Sequence, residues 1–299
     1  MDKARRTAAF QSTEAAEAQY QERYAKWEER RDAAVAARRR PPWPPRTPAQ
    51  WLTGNKRPAN GYGGSLHPII GYGIRGVIWY QGEANTFRAS GYPDLFTFMI
   101  EQWRAEWRQG DFPFYWVQLA DHQAEQDNPG DSRWAELREA QTHALHLANT
   151  GQAVIIDLGE GNDIHPRRKE PVAQRLVRLA LHHDYGATDL VARSPEYRTQ
   201  TLEDDRIVLT FENFGSPLRT VDTDRPDGFA ICGEDQAWHW ASARIISDNQ
   251  VEVSSEAVPL PVAVRYAWAN NPRCNLYSRA GLPVTPFRTD DFPITSPTY

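Results

Sequence analysis

The sequence predicts a mixed α/β protein, with a parallel sheet and covering helices, an all-β module after it and a helical arm before it. Between residues 76 and 183, short β-branched and aromatic runs alternate with helical segments, which is typical of a parallel sheet. Beyond about residue 198, short strands follow one another with turns between them. We therefore predict three regions: an arm and linker (1–47), an α/β domain (48–198) and a sandwich-like β module (199–299).

The arm is predicted as one helix over residues 9–39, which are rich in Ala, Glu and Arg. Tyr20, Tyr24 and Trp27 recur at i, i+4 and i+7 and so form a narrow aromatic stripe on one face. Such a stripe docks either on the body of the protein or on another chain. The proline-rich run at 41–45 ends the helix and favours an extended linker.

In the α/β region, each predicted element follows from composition and periodicity. Strands contain β-branched and aromatic residues, and the helix that begins at Tyr92 places Phe96, Ile100, Trp103 and Trp107 on one face. The predicted strands are 76–80, 114–119 and 153–157, and the predicted helices start near 92 and span 132–148 and 168–183. In the β module, the predicted strands are 206–211, 229–231, 237–246, 250–253 and 262–268.

Charge and composition narrow the classes of partner. The net charge is −5, and residues 1–46 hold 11 Lys/Arg against 7 Asp/Glu, so the acidity lies in the body and argues against nucleic acid. No apolar run reaches membrane-spanning length, and the first residues lead into no apolar segment of a signal peptide. Cys232 and Cys274 are too few for a metal cage and leave a disulfide open as an alternative.

The stretch with the strongest chemical signal follows the first predicted strand. Residues 81–85 form a polar turn with amide and carboxylate groups after the run 76–80, whose composition predicts a buried strand. Such a turn lies at the carboxyl edge of a parallel sheet, where open α/β folds bind ligands. An ordinary turn is the alternative interpretation of the same pattern.

Three blocks of sequence give this turn a family context. The first is residues 74–85, the second is residues 157–166 with Lys169 and Arg175, and the third comprises 264–272, 280–283 and 286–288. In this order they resemble the sialate O-acetylesterase-like proteins, a branch of the SGNH (GDSL-type) hydrolases. The resemblance implies an SGNH-like sheet and a carbohydrate O-acetylesterase that removes acetyl groups from sugar hydroxyls by a serine mechanism, with no metal and no other cofactor. Acetylated carbohydrate is then the expected ligand.

The second block implies the catalytic base. His165 lies in a loop after a predicted strand, and Asp163 is the group expected to orient its imidazole. Many SGNH enzymes place this aspartate three residues before the histidine, where this chain has Asn162, so Asp157 is a further candidate. A structural role for His165 is the alternative.

The first block implies donors for an oxyanion. Gln81 is expected to donate through its side-chain amide and Gly82 through its backbone N–H. Glu83 and Asn85 either take part in the site or hold the loop in shape.

The nucleophile has no clear counterpart. The family carries its serine in a Gly-rich block well before residues 74–85, whereas this chain has the Ala/Glu/Arg helix and proline linker there. The resemblance therefore implies an incomplete sheet without the serine block. Ser65, after two glycines, is a replacement candidate, although turns select serine for local hydrogen bonds.

These observations leave several functions open. The chain is an esterase in its own right, an enzyme completed by another chain or by a second copy, or a non-catalytic carbohydrate-binding or interaction protein. Family members are often exported, and this sequence alone does not define the compartment.

Overall fold

The computed structural model describes residues 12–49 and 59–297. The chain divides into two units, residues 1–72 and 73–299. The predicted boundaries at residues 47 and 198 remain predictions.

The N-terminal unit begins with a 24-residue helix, α1 (Thr13–Ala36). Ser12 lies just before it, and its hydroxyl accepts a hydrogen bond from the backbone N–H of Ala15 at 3.0 Å. This N-cap satisfies one of the donors that the first turn leaves unpaired. The helix predicted over 9–39 is confirmed in its central part, while residues 9–11 lie outside the described residues.

The aromatic stripe of α1 makes contacts inside its own unit. The rings of Tyr24 and Trp27 are 5.2 Å apart, and the indole N–H of Trp27 donates to the carbonyl oxygen of Pro42 at 2.9 Å. The linker therefore folds back along the helix. Further on, Tyr62–Leu66 form a short π-helical turn that carries Ser65.

The second unit contains the predicted parallel sheet. Its strands are β1 (Val77–Trp79), β2 (Phe114–Val117) and β3 (Thr150–Ala153), in the spatial order β1-β2-β3. The prediction of a strand at 153–157 is wrong in register, because β2 pairs with residues 150–153. Residues 154–156 are apolar because they are buried elsewhere, as described below.

Three helices of the second unit cover this sheet. They are α2 (Tyr92–Trp107), α3 (Arg133–His143) and α4 (Lys169–Asp184). On α2, Phe96 and Ile100 are buried, and the Phe96 ring meets the ring of Trp116 from β2 edge to face. The predicted helices and the mixed α/β class are therefore confirmed, with α3 ending at His143 before a short 3₁₀ turn.

Antiparallel strands fill the rest of the second unit. Two four-stranded sheets have the orders β4-β5-β10-β9 and β13-β11-β7-β8, and a two-stranded sheet pairs β12 with β6. The strands are β4 (Glu196–Glu203), β5 (Arg206–Glu212), β6 (Leu218–Thr220), β7 (Phe229–Cys232), β8 (His239–Trp240), β9 (Ser242–Ser247), β10 (Gln250–Ser254), β11 (Ala263–Tyr266), β12 (Leu276–Ser278) and β13 (Phe287–Arg288). The predicted all-β module is confirmed; sequence analysis missed β4, β6, β12 and β13.

The two parts of this unit share one core. Val154 and Ile156, just after β3, are buried in the same cluster as Leu209 of β5 and Val264 of β11. This burial explains the apolar run that sequence analysis assigned to a strand.

A buried arginine fastens the two parts together close to the predicted site. Arg138 of α3 is fully buried and donates to the carbonyl oxygens of Leu119 and Ala120 after β2 and of Ala269 and Asn270 after β11. Burial lowers the pKa of Arg138 to about 10. Because four of the five N–H groups of the planar guanidinium donate to these carbonyls, Arg138 sets the distance between the two segments.

Within the described ranges, no helix is long and apolar enough to cross a membrane.

Candidate active site

Three of the predicted site residues, Gln81, Glu83 and His165, meet where β1 ends and the loop before α4 begins. A surface pocket of about 510 Å³ lies there, lined by Tyr80, Gln81, Glu83, Ala84, Ile164, His165 and Lys169. The first and second sequence blocks therefore face each other across one pocket, at the carboxyl edge of the parallel sheet. This is the edge where open α/β sheets bind ligands.

His165 reaches this pocket with a largely solvent-exposed side chain. Its Nδ1 atom lies 3.8 Å from Oδ1 of Asp163, and the His165 side chain is 89% exposed. The same Oδ1 atom accepts a hydrogen bond from the backbone N–H of His165 at 2.9 Å. Asp163 therefore shapes the turn, and its carboxylate lies next to the imidazole. In unliganded sites catalytic hydrogen bonds are often long.

The Gln81–Gly82 turn is held by its own side chains. The amide Nε2 of Gln81 donates to Oδ1 of Asn85 at 2.8 Å, and the backbone N–H of Gly82 donates to Oε2 of Glu83 at 3.0 Å. Both predicted oxyanion donors thus have acceptors inside the loop. A ligand oxygen would have to replace Glu83 to accept from the Gly82 N–H, whereas the Gln81 amide keeps a second N–H.

Gly82 is required for close packing. A Cβ atom on Gly82 would lie 2.9 Å from Nε2 of Gln141 and 3.0 Å from Cδ2 of Leu119. Gln141 in turn donates to the carbonyl oxygen of Gln81 at 3.2 Å. The turn is therefore pressed against α3 and the end of β2, which fixes its position.

The loop that carries His165 is braced by three acidic groups. Asp157, the further orienting candidate, forms a bidentate pair with Arg175 of α4 at 2.5 and 2.7 Å, and Asp121 accepts the N–H of Gly159 at 2.6 Å. Burial raises the pKa of Asp121. The third group, Glu160, is paired with Arg167 (below). Asp157 therefore anchors the start of the loop in this structure.

Glu160 and Arg167 close the loop over seven residues. Oε2 of Glu160 accepts from Nη2 of Arg167 at 2.8 Å, and Oε1 accepts the backbone N–H of Arg167 at 2.8 Å. These hydrogen bonds lower the pKa of Glu160 to about 2. His165 lies inside the closed segment, so this pair limits where the imidazole can move.

Two pocket residues were missed by sequence analysis as site residues. Tyr80 was assigned to the strand, and Lys169 appeared only as part of the second block. The ammonium of Lys169 lies 4.7 Å from the centroid of the Tyr80 ring, a cation–π arrangement. Burial, and then the charge of Glu83, raise the pKa of Tyr80 to about 12, so its phenol remains a neutral hydrogen-bond donor. The alternation of side chains along β1 places Tyr80 on the same face as Ile78. This alternation was the sequence signal that could have identified Tyr80 as a pocket residue.

A second pocket of about 480 Å³ shares Glu83 and Ile164 with the His165 pocket. It extends toward His122, whose ring lies 5.2 Å from that of Trp134, and toward Gln123 and Asn270. Nδ1 of His122 is buried and has no hydrogen-bond partner among the described residues. The two pockets are therefore neighbours, separated by Glu83 and Ile164.

Metal-ligating clusters and nucleophilic side chains are the other features on which catalysis at the pocket could depend. No group of three His, Cys, Asp or Glu side chains there could hold a metal ion. Among the described residues that line the His165 pocket, none is serine, threonine or cysteine. Ser65 belongs to the N-terminal unit and is exposed. Its role as a nucleophile remains a prediction, as do the roles of His165, Asp163, Gln81 and Gly82.

The sequence and the fold are similar to those of known proteins. Residues 64–175 match the model of a carbohydrate esterase family described as sialic acid-specific acetylesterase. The chain is 29% identical over 266 residues to the sialate O-acetylesterase of Mus musculus and 28% identical to that of Homo sapiens, covering 80% of this chain and 49% and 50% of those proteins. The crystal structure of a carbohydrate acetylesterase from Xanthomonas citri has a TM-score of 0.72 and 46% identity, covering 76% of this chain and 53% of that one.

The fold and these matches are those of carbohydrate esterases of mixed α/β architecture. More narrowly, the family model and the relatives confirm the resemblance of the three sequence blocks to the sialate O-acetylesterase-like family. The chain spans about half the length of these relatives.

Proposed function

We propose that this chain carries the base and oxyanion parts of a carbohydrate O-acetylesterase. The observation that carries the proposal is the pocket in which exposed His165, with Asp163 beside it, faces the Gln81–Gly82 turn. Besides a nucleophile, ester hydrolysis through a covalent intermediate requires a base, a carboxylate that orients it and N–H donors for the oxyanion.

The roles follow from the chemistry of ester cleavage. His165 takes the proton of a nucleophilic hydroxyl as that hydroxyl attacks the acetyl carbonyl carbon, and Asp163 supports the resulting imidazolium. The second N–H of the Gln81 amide and the N–H of Gly82 donate to the carbonyl oxygen as it becomes negative, once that oxygen replaces Glu83 as the acceptor of the Gly82 N–H. The bond between the acetyl carbon and the sugar oxygen breaks, and the sugar leaves with the proton from His165. Water, deprotonated by His165, then attacks the acetylated nucleophile, and acetate is released as the nucleophilic hydroxyl regains its proton.

The hydroxyl itself has three proposed sources: Ser65, a complementing chain, or a second copy of this chain. An unpaired sheet edge supports the last two. In the described part of the chain β1 pairs only with β2, and Ile78 on β1 is 72% exposed. An exposed edge with an apolar residue is a surface on which another strand pairs readily.

A non-catalytic carbohydrate-binding protein is the second candidate. It is favoured by one specific observation, because both predicted oxyanion donors already have acceptors within the loop. In that case the pocket would hold a sugar without cleaving its ester.

The test is acetate release from an aryl acetate and from an acetylated monosaccharide by the chain 1–299. The variants are His165→Ala, Ser65→Ala and, as a matched control, His143→Ala, since His143 is also exposed but lies outside the pocket. Loss of activity in His165→Ala with retention in His143→Ala supports the proposed base. Loss in Ser65→Ala as well identifies the nucleophile.

If the parent chain is folded but inactive, a complementation experiment follows. The chain is then mixed with the part of the Xanthomonas citri acetylesterase that lies outside the aligned region. Activity restored by the mixture, and again lost with His165→Ala, supports a completed enzyme. Continued inactivity, with acetylated sugar still bound, favours the non-catalytic candidate.

A further inference from the structure

A third cavity, of about 360 Å³, lies between the loop 121–131 and the antiparallel sheets. The residues that matter for its chemistry are Asp127, Asp227, Trp240, Asn271 and Arg273. It shares no lining residue with the His165 pocket. Nothing in the esterase chemistry above uses it.

Trp240 gives this cavity an aromatic wall that is held in place. It lies on β8, paired with Ala230 of β7, and is 44% exposed. Its indole N–H donates to the backbone carbonyl oxygen of Asp127 at 2.7 Å. Because the only polar atom of the indole is already bonded, the exposed ring offers an apolar surface whose orientation costs little entropy on binding.

The polar groups around the ring are mainly acceptors. The carboxylates of Asp127 and Asp227 are exposed and accept no hydrogen bond from any described residue. Two of the donors are already engaged: Nε of Arg273 pairs with Glu125 at 2.5 Å, and Nδ2 of Asn271 donates to the carbonyl oxygen of Gln123 at 2.8 Å. The cavity therefore fits a ligand with many hydroxyl donors and one apolar face.

The charges of the cavity select against anions. Asp127, Asp227 and the adjacent Glu125 outnumber the one cation, Arg273. A carboxylate on a ligand would be placed beside like charges, which is costly in a partly desolvated cavity. A neutral sugar ring meets all of these conditions, with its C–H face against Trp240 and its hydroxyls toward the carboxylates.

The position of the cavity connects it to the first site. Asn270 and Asn271 are neighbours in sequence. Asn270 lines the second pocket, which adjoins the His165 pocket, and Asn271 lines the Trp240 cavity. Both are held by Gln123, through its side-chain and backbone oxygens at 2.7 and 2.8 Å. One short strip of the loop therefore separates the two sites.

We propose that the Trp240 cavity binds a neutral sugar residue of an oligosaccharide whose acetylated residue occupies the His165 pocket. The second half of this statement rests on the proposed deacetylation, whereas sugar binding at Trp240 does not. The ligand class is thus a neutral oligosaccharide of at least a few residues.

The experiment is calorimetric titration of the full chain with cellotetraose, xylotetraose, mannotetraose and tetragalacturonate. At least one neutral tetrasaccharide is expected to bind with a Kd on the order of 10⁻⁴ to 10⁻³ M, and tetragalacturonate about tenfold more weakly. Trp240→Ala is expected to weaken neutral binding about tenfold or more. The control Trp43→Ala, which removes an 83% exposed indole from the N-terminal unit, is expected to bind like the parent.

Two further variants separate recognition from folding. Trp240→Phe keeps an aromatic ring without the N–H and is expected to retain most of the binding. Asp227→Asn removes a charge that accepts no hydrogen bond from a described residue, and it is expected to reduce the discrimination against tetragalacturonate.

The proposal is overturned if no neutral tetrasaccharide binds at about 10 mM, if Trp240→Ala, folded by circular dichroism, binds like the parent, or if tetragalacturonate binds best. Titration needs no turnover, and acetate release from an aryl acetate needs no sugar, so the two proposals fail separately.

Discussion

Oδ1 of Asp163 accepts the backbone N–H of His165 at 2.9 Å and lies 3.8 Å from Nδ1 of the same residue. One carboxylate oxygen thus fixes the turn and stands next to the imidazole that the turn presents. These two roles differ in what they require, since the turn needs an acceptor and the imidazolium needs a negative charge. The difference makes the role of Asp163 accessible to experiment.

Asp163→Asn keeps an oxygen acceptor for the His165 N–H but removes the charge. In the preparation that releases acetate, we expect kcat/KM on an aryl acetate to fall by roughly 10²- to 10⁴-fold, because the imidazolium formed during attack loses its counter-charge. Asp205→Ala, which removes a 70% exposed carboxylate from the β module, is expected to leave the rate unchanged. A rate for Asp163→Asn within about twofold of the parent would assign Asp163 to the turn alone.

Because Glu160 is paired with Arg167, we predict that the free energy of unfolding depends on pH. Its pKa is lowered from 4.5 to about 2 by the hydrogen bonds from Arg167. Because the folded pKa lies below the unfolded one, the carboxylate stabilises the fold above about pH 4.5, and this contribution is lost as the pH falls toward 2. We therefore expect the stability difference between the parent and Glu160→Gln to shrink over this interval.

Urea unfolding of both proteins at pH 6, 4.5 and 3 measures this difference. Glu234→Gln, at an exposed position in the β module, is the matched control and should give one difference at every pH. A Glu160→Gln difference that stays constant from pH 6 to 3 would contradict the prediction.

The fold was predictable wherever the local pattern and the tertiary contacts agree. Residues 77–79 form a strand because their β-branched and aromatic composition favours one, and residues 92–107 form a helix because periodicity and burial both favour it. The third strand was misplaced because Thr150–Ala153 has weak β propensity, and β2 selects it as a partner. The apolar residues 154–156 belong to a core that forms with strands far along the chain.

The candidate site was predictable at the level of which residues meet. Gln81, Glu83 and His165 line one pocket because strand ends meet at one edge of a parallel sheet. The internal acceptors of the Gln81 amide and the Gly82 N–H depend on the turn geometry, and sequence spacing does not encode them. The Trp240 cavity could not be predicted, because it joins residues about 110 positions apart.

Gly159 predicts a steric limit in the loop that carries His165. A Cβ atom at this position would overlap the carbonyl oxygen and the carboxylate of Asp121. Gly159→Ala therefore has to displace the loop, and we expect a loss of about 1–3 kcal/mol in the free energy of unfolding. Gly73→Ala, where a Cβ meets nothing within 4 Å, is expected to change it by less than about 0.5 kcal/mol. Equal effects in urea unfolding would refute the proposed overlap.

Ile78 predicts the surface behaviour of the sheet edge. Ile78 of β1 is paired with Tyr115 of β2, and the Tyr115 ring packs on Leu179 of α4. Ile78 therefore points to the α4 side of the sheet, where it is 72% exposed. An apolar residue on an unpaired strand promotes association through that edge. We expect Ile78→Lys to reduce both the binding of an apolar fluorescent dye and concentration-dependent association measured by light scattering. Leu260→Lys, at a 77% exposed position in the β module, should change neither. Equal reductions in both variants would mean that general charge, rather than the edge of β1, controls association.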